Sequence, residues 1–194
     1  MSTDYESDED VQEVEWGSMK IAAYRFNNAL RYRDDFHPNQ VQLTPVYALD
    51  PIRAALGGTI GLDPCTEPDN PTGAEQFYCL PTDGAEQPWV ATTIFVNPPY
   101  SAAKDRWIRK CMVAGGAGAK VALLIPAHPD TRIFQQALES AHAVVFVKGR
   151  LKFGVKRDNG RQKASSHPSA ILTWNCELDP LRGLGQVLLG GGAK

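Results

Sequence analysis

Thr93-Ile94-Phe95-Val96-Asn97-Pro98-Pro99-Tyr100 is the stretch on which the fold turns. Its first four residues are apolar, β-branched or aromatic, or both, the pattern of a short strand buried on both faces. The two prolines then fix the backbone and remove two amide donors, so the strand stops at Asn97 and the turn after it presents acceptors. Downstream, Ala102–Ala114 reads as a helix closed by Gly115-Gly116, and Val121–Ile125 reads as a second wholly apolar strand. Asp130 reads as the cap of a helix running to about Ala141, with Ala143–Val147 and Ser169–Trp174 as further strands. Upstream, Thr44-Pro45 has the form of an N-cap followed by a first-turn proline. Asp50-Pro51 repeats it, so two short helical pieces are expected before Gly57-Gly58. Thr59–Leu62 is a short strand ending at Asp63-Pro64, and Pro68, Asn70, Pro71 and Gly73 make the following dozen residues a loop. Helix and strand in alternation predict an α/β sheet. Ligands of such sheets bind beyond the carboxyl ends of the strands, which puts Asp63 and Asn97 on one edge.

With 194 residues, 43% of them hydrophobic, the chain can bury one substantial core, and residues 19–189 are expected to form a single domain. No apolar run approaches the ~18 residues that span a bilayer, and the start is acidic where a secretory signal would be basic, so a cytoplasmic protein is expected. Cys65, Cys79, Cys111 and Cys176 contain no C-x-x-C pair, and His37, His128, His142 and His167 are scattered, so neither disulfides nor a metal site is expected. The net charge of −2 hides a division. Residues 1–18 hold seven acids and no base and read as a disordered acidic tail, leaving 20 bases against 15 acids in the remainder. Lys20–Arg33 reads as a packing helix, and Gly190-Gly191-Gly192 as a frayed end.

The turn is where the chemistry concentrates. The Asn97 side-chain oxygen and the Pro98 carbonyl can together accept both hydrogens of an amino group, while the Tyr100 ring offers a flat face to a base. An amine conjugated to an aromatic ring is a poor nucleophile, and two acceptors drawing its hydrogens out of plane restore its lone pair. A plain surface turn, or a Pro-Pro-x-Tyr ligand for another protein, would need an exposed setting that the apolar strand argues against. Further on, Lys148, Arg150, Lys152, Lys156, Arg157, Arg161 and Lys163 stand against one acid, Asp158. This stretch, about 148–166, reads as a DNA-facing loop: the bases neutralise phosphates, Gly149, Gly154 and Gly160 let it bend, and Phe153 can stack or wedge. A solvated basic hairpin would have the same composition.

These residues resemble the amino-methyltransferases that carry an Asn-Pro-Pro-Tyr motif, and in particular the phage-type Dam family of DNA N6-adenine methyltransferases. Four landmarks occur in the family's order: Thr44-Pro45, Leu62-Asp63, Asp83-Gly84 with Trp89, and Asn97-Pro98-Pro99-Tyr100. Arg150-x-x-Phe153 and Pro168-Ser169 are similar to its later segments, which implies a substrate-side role for the first and a structural one for the second. The resemblance implies a Rossmann-like S-adenosylmethionine-dependent fold with a mostly parallel sheet, double-stranded DNA as partner, and a bacterial cell, with or without a phage origin, as setting. It also implies that Thr44 and Asp63 lie near the methionine end of the cofactor, that Pro45, Pro64 and Cys65 belong to the cofactor-binding set, and that Asp83 accepts from the cofactor's adenine, a task Glu67 or Glu75 could also perform. Pro64-Cys65-Thr66-Glu67-Pro68 stands where a glycine-rich cofactor loop would usually follow Asp63. The same turn would serve methylation of an RNA base or a protein amide, and a non-catalytic phage DNA-binding protein could keep the fold.

Overall fold

The computed structural model describes residues 11–16, 19–24, 43–100, 104–154 and 162–193. The chain divides into two units, residues 1–37 and 38–194. In the first, β1 (Val11–Trp16) and β2 (Met19–Tyr24) pair antiparallel, with Val14 opposite Ile21 and Trp16 opposite Met19. The helix expected from Lys20 is therefore a strand at its start. Met19, Ile21 and Ala23 alternate with period two, and this alternation outweighs the helix-compatible composition. The hairpin also crosses the expected boundary at residue 18; residues 1–10 and 25–33 lie outside the described residues.

The second unit runs α1 (Val46–Ala55), β3 (Leu62–Asp63), β4 (Gln76–Phe77), β5 (Thr93–Val96), α2 (Lys104–Gly116), β6 (Lys120–Pro126), α3 (Arg132–Ser140), β7 (Ala143–Val147), β8 (Lys152–Gly154), β9 (Gln162–Ala164), β10 (Ser169–Trp174), a 3-10 helix (Asp179–Gly183) and β11 (Gly185–Leu189). Seven strands form one sheet in the order β11-β7-β10-β6-β5-β3-β4, and β8 pairs with β9 separately. β4, β3, β5 and β6 are mutually parallel, whereas β10 is antiparallel to both β6 and β7, and β11 is antiparallel to β7. The sheet is thus mixed, with longer antiparallel ladders than parallel ones, and the expected mostly parallel sheet is corrected. The reason is the connection: β7 reaches β10 through the β8–β9 hairpin rather than a crossover helix, so β10 enters between β6 and β7 in the opposite direction.

Alternation along β5 builds the layers. Ile94 and Val96 face α2 and α3, among Trp107, Ile108, Ile133 and Phe134, while Phe95 faces α1 with Ala48, Leu49 and Ile52. Both faces of the sheet are covered, which is why its strands read as continuous apolar runs. Gly115 of α2 is required by packing, since a Cβ there would lie 2.3 Å from the Trp174 ring. The two helical pieces expected before Gly57 form one helix, α1, which passes through Pro51. The glycines near the chain's end are not frayed. Gly190, Gly191 and Gly192 donate to the carbonyls of His142, Leu138 and Ala141, at 2.9, 2.9 and 3.0 Å, and cover the end of α3. Asp130 does not cap α3; Thr131 occupies that position, its hydroxyl donating to the His128 carbonyl at 2.8 Å. Among the described residues no helix is long and apolar enough to cross a membrane.

Candidate active site

β5 ends in three buried residues, and the chain turns at the sheet edge with Pro98 buried and Asn97, Pro99 and Tyr100 half-buried. The Asn97 Nδ2 donates to Thr44 Oγ1 at 3.1 Å, which fixes the orientation of the amide. Thr44 was expected to cap α1, but the cap position belongs to Pro45, with no side-chain cap bond, and its carbonyl accepts from Ala48 and Leu49 at 2.9 Å each. Released from capping, Thr44 instead joins the start of α1 to the Asn97 turn. A shared segment thereby sets both helix and turn.

Tyr100 is braced from the side. Its ring meets Phe153 edge-on, with centroids 6.3 Å apart and planes at 84°. Its hydroxyl oxygen is buried and has no hydrogen-bond partner among the described residues, and burial pushes the phenol well above its ordinary range. Phe153 itself is fully buried, so its expected role as a stacking or wedging contact to DNA is corrected. The cause is strand alternation: Leu151 and Phe153 turn inward to the α1 side of the core, while Arg150 and Lys152 turn out. β8 is further tied to the segment before α1. Leu43 and Gly154 exchange two backbone bonds of 3.1 Å, and the Lys152 N–H donates to the Tyr47 hydroxyl at 3.2 Å.

The basic stretch therefore begins as a hairpin with an apolar inner side and a charged outer one. Lys148, Arg150 and Lys152 are exposed, with Arg150 Nη1 donating to the Ser166 carbonyl at 2.7 Å. Lys156, Arg157 and Arg161 lie outside the described residues. Tyr47, which sequence reasoning missed, ties β8 to α1 through its hydroxyl; its signal was an aromatic residue in the first turn after Thr44-Pro45.

On the other side of Asn97, the β3 exit packs close. Asp63 is buried and its carboxylate accepts from the Cys65 N–H at 3.1 Å and the Thr72 hydroxyl at 2.8 Å. Burial raises its pKa to about 6 despite these bonds. Both oxygens thus hold the loop that follows β3. The Cys65 thiol reaches the Asn97 backbone, and burial, with the Asp63 charge adding, pushes it well above the ordinary thiol value. Pro64 meets the Asp83-Gly84 turn so closely that a Cβ at Gly84 would lie 1.8 Å from the Pro64 carbonyl oxygen. Asp83 is a turn residue, accepting from Ala85 N–H at 3.0 Å, and its second oxygen pairs with Arg106 at 2.7 Å. Gly84 in turn accepts from Trp89 Nε1 at 2.8 Å. The landmarks around residues 44, 63, 83 and 97 are thus brought together in space. Phe77, exposed at the carboxyl end of β4 and in register with Asp63, adds an aromatic surface that the sequence reading did not single out.

An α/β sheet whose inner strand β5 delivers an acceptor-bearing Asn-Pro-Pro-Tyr turn, with an aromatic ring braced beside it, defines an amino-group methyltransferase. The family model for DNA N-6-adenine-methyltransferase (Dam) matches residues 39–187, and the chain belongs to that family. It is a DNA adenine N6-methyltransferase on this footing. No curated protein matches the chain.

Proposed function

We propose that the chain methylates N6 of an adenine swung out of double-stranded DNA, at a short recognition sequence, with S-adenosylmethionine as methyl donor. The observation that carries this is the Asn97 amide held by Thr44 at the end of β5, next to a Tyr100 ring braced by Phe153. The expelled adenine stacks on Tyr100, offsetting part of an unstacking cost of roughly a few kcal/mol. The Asn97 Oδ1 and the Pro98 carbonyl accept the two amino hydrogens, which pulls the nitrogen lone pair out of conjugation and aims it away from the turn.

The residues present fit the donor. The exposed Phe77 ring offers a flat face to a purine, and the Asp63–Cys65 turn lies beside Asn97 at the same sheet edge. When bound, S-adenosylmethionine supplies a methyl group activated by a positive sulfur, so no strong base is required of the protein. As the nitrogen–carbon bond forms and the carbon–sulfur bond breaks, the positive charge would pass from the departing thioether to the amine, where the Asn97 and Pro98 oxygens would stabilise it until a proton leaves to solvent.

The test is incubation with unmethylated duplex DNA and methyl-labelled S-adenosylmethionine, followed by nucleoside digestion and mass analysis. N6-methyladenine is expected. Asn97→Ala should lower kcat by on the order of 10²–10³, as loss of a preorganised transition-state partner does, with cofactor affinity nearly intact. Label in cytosine, in RNA or in protein would overturn the adenine assignment, and equal activity in the variant would overturn the role given to Asn97.

A further inference from the structure

β7 leaves the sheet through Lys148, whose backbone N–H donates to the Leu184 carbonyl at 2.9 Å. This bond seats Lys148 against the turn between the 3-10 helix and β11. Lys148, Arg182, Gly183, Gly185, Gln186 and Phe146 there line a surface concavity of about 490 Å³. Both cations are exposed, and the lining contains no acid. Its floor stays low because Gly185 packs directly on the neighbouring strand, where a Cβ would lie 2.0 Å from the Phe146 carbonyl oxygen. Asp179 holds Arg182 by its Nε at 2.9 Å in a solvent-exposed pair. Such a pair is weak and orients the guanidinium without consuming it.

The position of this concavity gives it meaning. β7 runs in the same direction as β5, because β10 is antiparallel to both β6 and β7 and β6 is parallel to β5. Lys148 therefore leaves at the same sheet edge as Asn97. Three strand spacings separate them, about 14 Å at ~4.8 Å per strand. That is comparable to the roughly 12 Å width of a DNA major groove, so a base drawn to Asn97 and a phosphate in the concavity can belong to one duplex. Lys148 and Arg182 supply a point charge and a planar fork, the donors that suit a phosphate.

We propose that Lys148 and Arg182 form a binding pocket for a DNA backbone phosphate, holding the duplex on the antiparallel side of the catalytic turn. This rests on the DNA reading above. Arg182 comes from a segment outside the basic hairpin, and only the fold brings it to Lys148.

The experiment measures binding of a duplex oligonucleotide to the full chain by fluorescence anisotropy over a range of salt concentrations. Because the two cations share one phosphate, the double variant should reduce the slope of log K against log salt by about one, and Arg182→Gln and Lys148→Gln should each remove part of that. Arg182→Lys should restore the slope. Lys120→Gln removes a cation from the amino end of β6, at the opposite edge, and should leave the slope as in the unaltered protein. If the unaltered protein binds with a salt-dependent affinity and both single variants keep its slope, the pocket is overturned and the DNA reading stands. If the unaltered protein shows no salt-dependent DNA binding, the DNA reading falls and takes the pocket with it.

Discussion

The two halves of the main sheet are held together differently. From β6 through β10 and β7 to β11, the antiparallel ladders run for six, four and five residue pairs. From β6 through β5 and β3 to β4, the parallel pairings run for four, one and two. The short half carries the active site, and polar side chains replace the missing ladder bonds. Thr93 Oγ1 accepts from the Gly61 N–H at 2.8 Å, Asp63 gathers Cys65 and Thr72, and Asn70 bonds both the N–H and the carbonyl of Ala74 at 3.1 and 2.9 Å. A regular ladder stabilises but presents nothing. Strands that end after two to four residues release their loops early, and those loops supply the chemistry.

This division can be broken from the scaffold side first. Trp174→Ala empties a fully buried position on β10 and should cost about 3–5 kcal/mol in urea unfolding, with methyl transfer per folded molecule little changed. A loss of activity without loss of stability would show that the halves are not separable in this way. Asp63 comes next, through pH. Its carboxyl is raised to about 6 from the ordinary 3.8, so the folded state favours the protonated form. The stability it contributes is present below about pH 4 and is lost as pH rises through about 6, an effect on the order of 2–3 kcal/mol. Comparing the melting temperatures of the unaltered protein and Asp63→Asn from pH 4 to 7.5 should show a difference that changes through that window; a constant difference would remove Asp63 from this role. The smallest effect is expected from Thr44→Val, which deletes one hydrogen bond to Asn97. It should cost about 1 kcal/mol, read as a kcat several-fold lower with Thr44→Ser close to normal. A fall in cofactor affinity with kcat preserved would instead place Thr44 on the donor's side of the site.

The same division explains what could be read in advance. β5, β6, β7 and β10 are buried on both faces, so their residues spell continuous apolar runs, and all four were legible. β3 was read as Thr59–Leu62 and forms only at Leu62–Asp63, while β4, two residues long, leaves no pattern. β11 was missed because Leu188 and Leu189 are exposed in a glycine-bounded stretch. The reversed direction of β10 is carried by a connection, and apolar composition says nothing of direction. Pro51 suggested a break in α1, yet Ile52 and Ala55 bury against the sheet on the same side as Ala48 and Leu49, and that packing carries the helix through. In the site, Asn97–Tyr100 could be read because prolines after an apolar strand leave few structural choices. Phe153 was misread because it stands among bases; the alternation of Leu151 and Phe153 with Arg150 and Lys152 was the signal that its ring points inward.

The run Gly190-Gly191-Gly192 has a consequence for how this protein can be altered. A Cβ at these positions would come within 2.2, 2.7 and 2.2 Å of the carbonyl oxygens of Ala141, Glu139 and Ser140. Their value lies in thinness rather than slack. A tag joined directly after Leu189, or a linker that substitutes serine or alanine here, would uncover the last carbonyls of α3. In a homologue or a redesigned chain, variation at these three positions should therefore be as restricted as in the core, although Gly190 and Gly192 are only half-covered and Gly191 is exposed.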